Sequence, residues 1–203
     1  MKFTLKKSQV KGMLLLAGKA DIRYYLNGLH VMQDGRGTIL EAMTSPMAGR
    51  LRIDQTPVLL AENEKRKSVI IKRADAEKLI QEKARYDYVI DVEVDGKKIV
   101  AKVQGVTYEF TAEDGVYPDL DRIVPEPYYA KVAWFDPELV STMGEAIATI
   151  YDIKKKDSAE LAAKWCLVPN GEGTSLAVVK DCGEFYGVVM PMKKEVHNVS
   201  APW

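Results

Sequence analysis

The chain lacks an excess of charge of either sign: its 29 lysines and arginines are matched by 29 aspartates and glutamates. A simple nucleic-acid binder usually carries a basic surplus, so any contact with a polyanion has to come from where the charges sit. Cysteine is scarce too. Cys166 and Cys182 are the only two, too few to read as a disulfide framework. His30 and His197 are the only histidines, and no Cys/His cluster has zinc spacing. A glycine-rich phosphate loop and a nucleophile elbow are also missing. Catalysis therefore has little chemistry to draw on, and the expectation is a protein that is not an enzyme and needs no metal or cofactor. Long apolar runs are absent as well. MLLLA at 13–17 is far too short to span a bilayer, and the start MKFTLKKSQV has no apolar stretch of the secretory kind. The expectation is a cytoplasmic protein with reduced thiols and no membrane partner.

What is present is an ordinary globular composition, 47% apolar and 29% charged over 203 residues. That length suffices for one large domain or up to two small ones. Along it one order of elements recurs. KFTL (2–5) reads as a strand and KKSQVKGMLLLAG (6–18) as a helix, with Val10, Met13, Leu14 and Ala17 at helical spacing. Strands follow at 26–33, 38–45 and 49–54, the first two joined by the hairpin signal DGRG. The order repeats with SVIIKR (68–73), a helix over 74–87, and strands YVIDVEV, KKIVAKVQ and VTYEFTAED, with Asp95-Gly96 as another hairpin pair.

A third pass begins at YAKVAWF (129–135). Its helix over 135–152 has Asp136 as N-cap and Pro137 at the first helical position. Strands at 162–169, 174–181 and 184–192 complete it. The chain is thus three strand–helix–strand–strand–strand units, alike in pattern but not in residues. DGVYPDLDRIVPEP (114–127), with three prolines, reads as an extended linker. Units of this kind give an α+β layer, with antiparallel sheets outside and helices on one face.

Four stretches, in order, resemble the bacterial DNA polymerase III beta sliding clamp. DIRYYLNGLHV (21–31) is similar to a segment of the clamp's middle domain. AMTSPMAGRL (42–51) stands where the family has a threonine-aspartate-glycine-histidine-arginine-leucine loop. DGVYPDLDRIVP (114–125) resembles the end of the middle domain, and VVMPMKK (188–194) the C-terminal end. FDPELVSTMGEAIATI (135–150) is in the style of the last domain's second helix.

The resemblance implies a DNA-clamp fold. Residues 1–124 would be a complete clamp-like domain of two units, 125–193 a half-domain, and 194–203 a tail. It departs from the family at the 42–51 loop, where Thr44, Gly49, Arg50 and Leu51 align but the aspartate and histidine do not. The first domain and the front half of the last have no counterpart, and HNVSAPW runs past the family's usual end. The implied protein is a shortened clamp of the kind a phage or mobile element carries.

For function, the resemblance implies a processivity factor: a homo-oligomeric ring around duplex DNA that tethers a polymerase, and a clamp loader, through a short apolar peptide. The implied peptide pocket comprises Leu26, Thr44, Gly49, Arg50, Leu51, Pro118, Arg122, Ile123, Val188, Val189, Met190 and Met192. Methionine suits a groove that accepts several ligands, and arginine can hydrogen-bond a ligand backbone or acid. The plain alternative is that these are ordinary inter-domain core residues.

A sliding ring must also attract phosphates without reading bases. Lys7, Lys11, Lys72, Arg73, Lys78 and Lys83 lie in or beside the first two helices, and Lys154, Lys155 and Lys156 end the third. Arg23, Tyr24 and Tyr25 resemble a clamp loop that touches duplex or template strand, and aromatics beside a basic residue suit stacking on an unpaired base. Equally, the lysines could be a solvated face among interspersed acids, and the tyrosines the start of a strand. A second functional reading is a decoy or adaptor that binds replication proteins without closing a ring.

Overall fold

The structure is a computed structural model that describes residues 1–58, 66–80, 86–122, 135–154, 165–168, 175–179 and 184–191. The first unit runs β1 (Lys2–Lys6), α1 (Lys7–Leu16), β2 (Gly28–Asp34), β3 (Gly37–Met43) and β4 (Met47–Asp54). The second runs β5 (Lys67–Lys72), α2 (Arg73–Ile80), β6 (Val89–Asp95), β7 (Lys98–Val103) and β8 (Val106–Thr111). Of the third, α3 (Pro137–Ile150), β9 (Trp165–Val168), β10 (Ser175–Val179) and β11 (Phe185–Val189) are described. The expected strand at 129–135 and the end of the expected helix at 81–85 lie outside the described residues.

Among the described residues the strands form two antiparallel sheets, ordered β1-β6-β7-β8 and β5-β2-β3-β4-β11-β10-β9. The first two units exchange their opening strands, β1 pairing with β6 and β5 with β2. Neither unit therefore closes a sheet alone. The third unit continues the first unit's sheet through β11 against β4.

The alternation of the sequence sets the faces. β6 exposes Asp91, Glu93 and Asp95 and buries Ile90, Val92 and Val94, as a strand with one wet face must. The buried rows of both sheets share one core with α1, α2 and α3, including Leu5, Val10, Met13, Leu40, Leu79, Ile90, Ile99 and Ile147. Each fully buried leucine or isoleucine contributes about 1.5–3 kcal/mol over its exposed state.

Close approach explains three glycines. A Cβ on Gly12, in the middle of α1, would meet the Ala146 carbonyl oxygen at 2.8 Å and Ile150 Cγ1 at 2.5 Å, so α1 and α3 pack backbone to backbone there. Gly49 and Gly187 are direct cross-strand partners. Leu16 of α1 presses over the first and Met143 of α3 over the second. At the start of α3, the Asp136 carboxylate accepts the Glu138 N–H at 2.8 Å, the expected cap.

Two expectations change. Tyr24–Leu26 form a 3-10 turn and do not start a strand. The stretch after β8 reads as a linker, but part of it is core: Tyr117 is buried and Leu120 is 1% exposed. Together with Leu26, Met43, Ala48 and Ile70 they form a second apolar cluster, on the sheet face opposite the helices. Leu120 supplies the apolar anchor that composition alone conceals among its polar neighbours.

Candidate partner pocket and helix surface

The outer face of the larger sheet carries a polar row inside otherwise apolar surroundings. His30 on β2 pairs in register with Glu41 on β3, Glu41 with Arg50 on β4, and Arg50 with Tyr186 on β11. Direct partners share a face, so the four side chains stand side by side. Glu41 is 2% exposed. One of its oxygens lies 2.8 Å from His30 Nδ1, and the other accepts from Arg50 Nε. Arg50 Nη1 donates to Asp121, and its guanidinium carbon lies 5.3 Å from the Tyr186 ring centre. The His30 ring stacks on Tyr117 with centroids 4.5 Å apart.

The electrostatics follow from that packing. Burial alone would lower the Arg50 pKa, yet Glu41, Asp121 and Tyr186 hold it above the ordinary guanidinium value. Burial pushes the Tyr186 hydroxyl up to about 12, against the pull of Arg50. The Tyr117 hydroxyl is pushed up further, by burial and by Glu41, and it has no well-formed hydrogen-bond partner among the described residues.

The expected pocket positions divide between the two faces. Leu26 is fully buried in the outer cluster. Val188, 3% exposed, pairs with Ala48 of that cluster and shares its face. Thr44 closes the β3–β4 turn, its N–H donating to the Met47 carbonyl at 2.8 Å. Pro118 is half-buried beside Tyr117, and Arg122 is exposed, 3.8 Å from Asp119. Met190, 48% exposed, ends the row of outer positions, its N–H donating to the Pro46 carbonyl at 2.9 Å. Gly49, Leu51 and Val189 turn to the helix side; Leu51 and Val189 belong to the main core, and Gly49 sits under Leu16. Ile123 and Met192 lie outside the described residues.

Among the described residues, four of the seven expected DNA-facing cations, Lys7, Arg23, Arg73 and Lys78, are engaged. Arg73 donates to the carbonyls of Leu14 and Ala17 at 2.9 and 3.1 Å, closing the C-terminal end of α1, and to Glu77 at 2.8 Å. Lys78 pairs with Asp75 at 2.8 Å and lies 5.4 Å from the Phe110 ring centre. Arg23 pairs with Asp21 at 2.8 Å and donates to the Ser45 hydroxyl. That hydrogen-bonded pairing lowers the Asp21 pKa to about 2. Lys7 lies 5.1 Å from the Tyr88 ring centre.

Lys11 and Lys154 are exposed and Lys72 half-buried. Tyr24 is 53% exposed, edge-on to Tyr25 at 5.7 Å. A cleft of about 370 Å³ between α1 and the end of α3 mixes Lys7 and Lys11 with Glu145 and Asp152, which weakens its pull on phosphate. Lys83, Lys155 and Lys156 lie outside the described residues. Among the described residues no group of three or more His, Cys, Asp or Glu is placed to hold a metal, and no helix is long and apolar enough to cross a membrane.

Glu41, His30, Tyr117, Asp121 and Tyr186 are the residues that motif reading missed. Counting back from the turns at 34–37 and 44–47 places His30 opposite Glu41 and Glu41 opposite Arg50. Nothing local places Tyr186 beside Arg50.

No family model matches the chain, and neither does any curated protein. Solved structures do, and they define the class: the chain has the fold of the DNA sliding clamps. The DNA polymerase III subunit beta from Pseudomonas aeruginosa superposes with a TM-score of 0.64 at 16% identity, over 96% of this chain and 67% of that one. The Bacillus subtilis sliding clamp gives 0.68 at 11% identity, over 96% and 64%. The Helicobacter pylori beta clamp bound to DNA ligase peptide gives 0.66 at 13%, over 94% and 66%. At these identities the likeness establishes the fold, and the chain spans about two thirds of the length of the clamps it matches.

Proposed function

We propose that this protein is a non-enzymatic processivity factor: a clamp-like ring subunit that surrounds duplex DNA and tethers a DNA polymerase through an apolar peptide. The observation that carries the reading is the clamp fold itself, matched over 96% of the chain. Its mechanism is topological. Closure of several copies supplies residence time, and weak phosphate contacts from exposed lysines such as Lys11 and Lys154 permit sliding. The partner is received at Met190, 48% exposed, which ends a row whose inner members Leu26 and Val188 are buried.

One observation favours a second reading, an adaptor or decoy that binds replication proteins without closing. Arg23, Arg73 and Lys78 each have a carboxylate partner, which leaves less charge for phosphates. Polymerase extension of primed circular DNA separates the two. A processivity factor lengthens the products of its cognate polymerase and loader. A decoy shortens the products of a replicating extract and lengthens none.

A further inference from the structure

We infer that Arg50 is a positioning residue: it clasps the 117–122 segment and strand β11 to a single buried carboxylate, Glu41, and does not meet a ligand. The clasp is independent of the function proposed above. The guanidinium is divided three ways. Nε donates inward to Glu41, Nη1 donates outward to Asp121, and the flat face covers Tyr186. A planar fork can serve all three at once, whereas an ammonium is a point charge that cannot.

Two of the partners stand on the strands that flank β4 in the sheet, and the third comes from the turn that crosses its outer face. Glu41 lies on β3, Asp121 on the turn after Leu120, and Tyr186 on the third unit's last strand. Leu120 anchors the turn by burial and Tyr117 stacks on His30 at its start; the Arg50–Asp121 bond adds a directional contact at the turn itself. Glu41, in turn, cannot relax toward water, because it is 2% exposed.

Amide hydrogen exchange and ¹⁵N spectra of the full chain test the clasp with no partner present, so its failure is distinguishable from failure of the proposed function. In the parent protein the Arg50 Nε–H should be a resolved, slowly exchanging signal. Glu41→Gln should abolish that signal and speed exchange about tenfold or more both at Tyr186–Val189 and at Asp121–Arg122. Because Glu41 also reaches Tyr117 through His30, His30→Ala, which leaves Arg50 and Asp121 in place, should leave exchange at Asp121–Arg122 unchanged. Arg50→Lys should restore neither. Asp121 is half-exposed, so Asp121→Asn keeps the fold; it should release the 119–122 turn while leaving the global unfolding midpoint unchanged. If Asp121→Asn leaves the turn unchanged, or if the effects of Glu41→Gln stay confined to β3, the clasp is overturned.

Discussion

Arg50 lies across the ring of Tyr186, 5.3 Å from guanidinium carbon to ring centre, on two strands that are direct neighbours in the sheet. One belongs to the first repeat unit and the other to the third. The junction between them is therefore not a loose domain contact. It is a continuous antiparallel ladder with a charged and aromatic row on its outer face and the paired glycines Gly49 and Gly187 on its inner one.

Removing Arg50 should cost stability out of proportion to its size. Arg50→Gln leaves the Glu41 carboxylate buried beside His30 without its cation, and breaking one side of a buried pair typically costs about 3–5 kcal/mol. The double change Glu41→Gln with Arg50→Gln should cost clearly less than the sum of the single ones. Urea unfolding of the three variants measures this; strict additivity would show that the pair is not coupled.

Gly12→Ala sets two effects against each other. In an exposed helix the alanine would gain about 1 kcal/mol. Here its Cβ would meet the Ala146 carbonyl oxygen at 2.8 Å, and a backbone atom cannot rotate away. Overpacking of about 1–3 kcal/mol wins, so the midpoint of thermal unfolding should fall, with α1 and α3 forced apart.

Much of the fold was legible because hairpin turns and alternation are local. The element order of the first two units, the Asp136 cap and the DGRG and Asp95-Gly96 turns all follow from neighbours in sequence, and the four motifs point to the clamp fold by themselves. The site was less legible. Leu51 and Val189 look like pocket wall as letters, but strand parity turns them into the core. Arg73 looks like a phosphate contact, yet it is spent on the carbonyls of a helix it does not belong to. The first outcome needs the strand's face to be known, and the second depends on contacts between distant segments, which no spacing rule encodes.

Arg73 and Lys11 should behave oppositely. Arg73→Ala removes charge-assisted bonds to the end of α1 and should destabilise the protein by about 1.5–3 kcal/mol. Lys11 is exposed, and Lys11→Ala should stay within about 0.5 kcal/mol. If the helix face meets DNA, the Lys11 variant lowers retention and flattens its salt dependence while its melting point is unchanged. Melting curves and retention on DNA at two salt concentrations check both.

Acid titration isolates the Arg23 loop. The folded-state pKa of Asp21, about 2, lies below the ordinary 3.8, chiefly because of its hydrogen bonds from Arg23. The carboxylate thus favours the folded state above roughly pH 4, and that contribution fades as pH falls toward 2. Asp21→Asn should lower stability at neutral pH and make the decline between pH 4 and 2 shallower. Unfolding curves across that range decide it; an unchanged acid limb would remove Asp21 from the account.

The central claim is topological, and retention on nicked circular DNA tests it most directly. The protein, with the loader and ATP that load it, is passed with the plasmid through a sizing column at moderate salt, before and after the plasmid is linearised. A clamp-like ring co-elutes with the circle and is lost from the linear form, because it slides off the ends. Equal retention on both forms would mean ordinary binding, and no retention on the circle under any loading condition would contradict the ring.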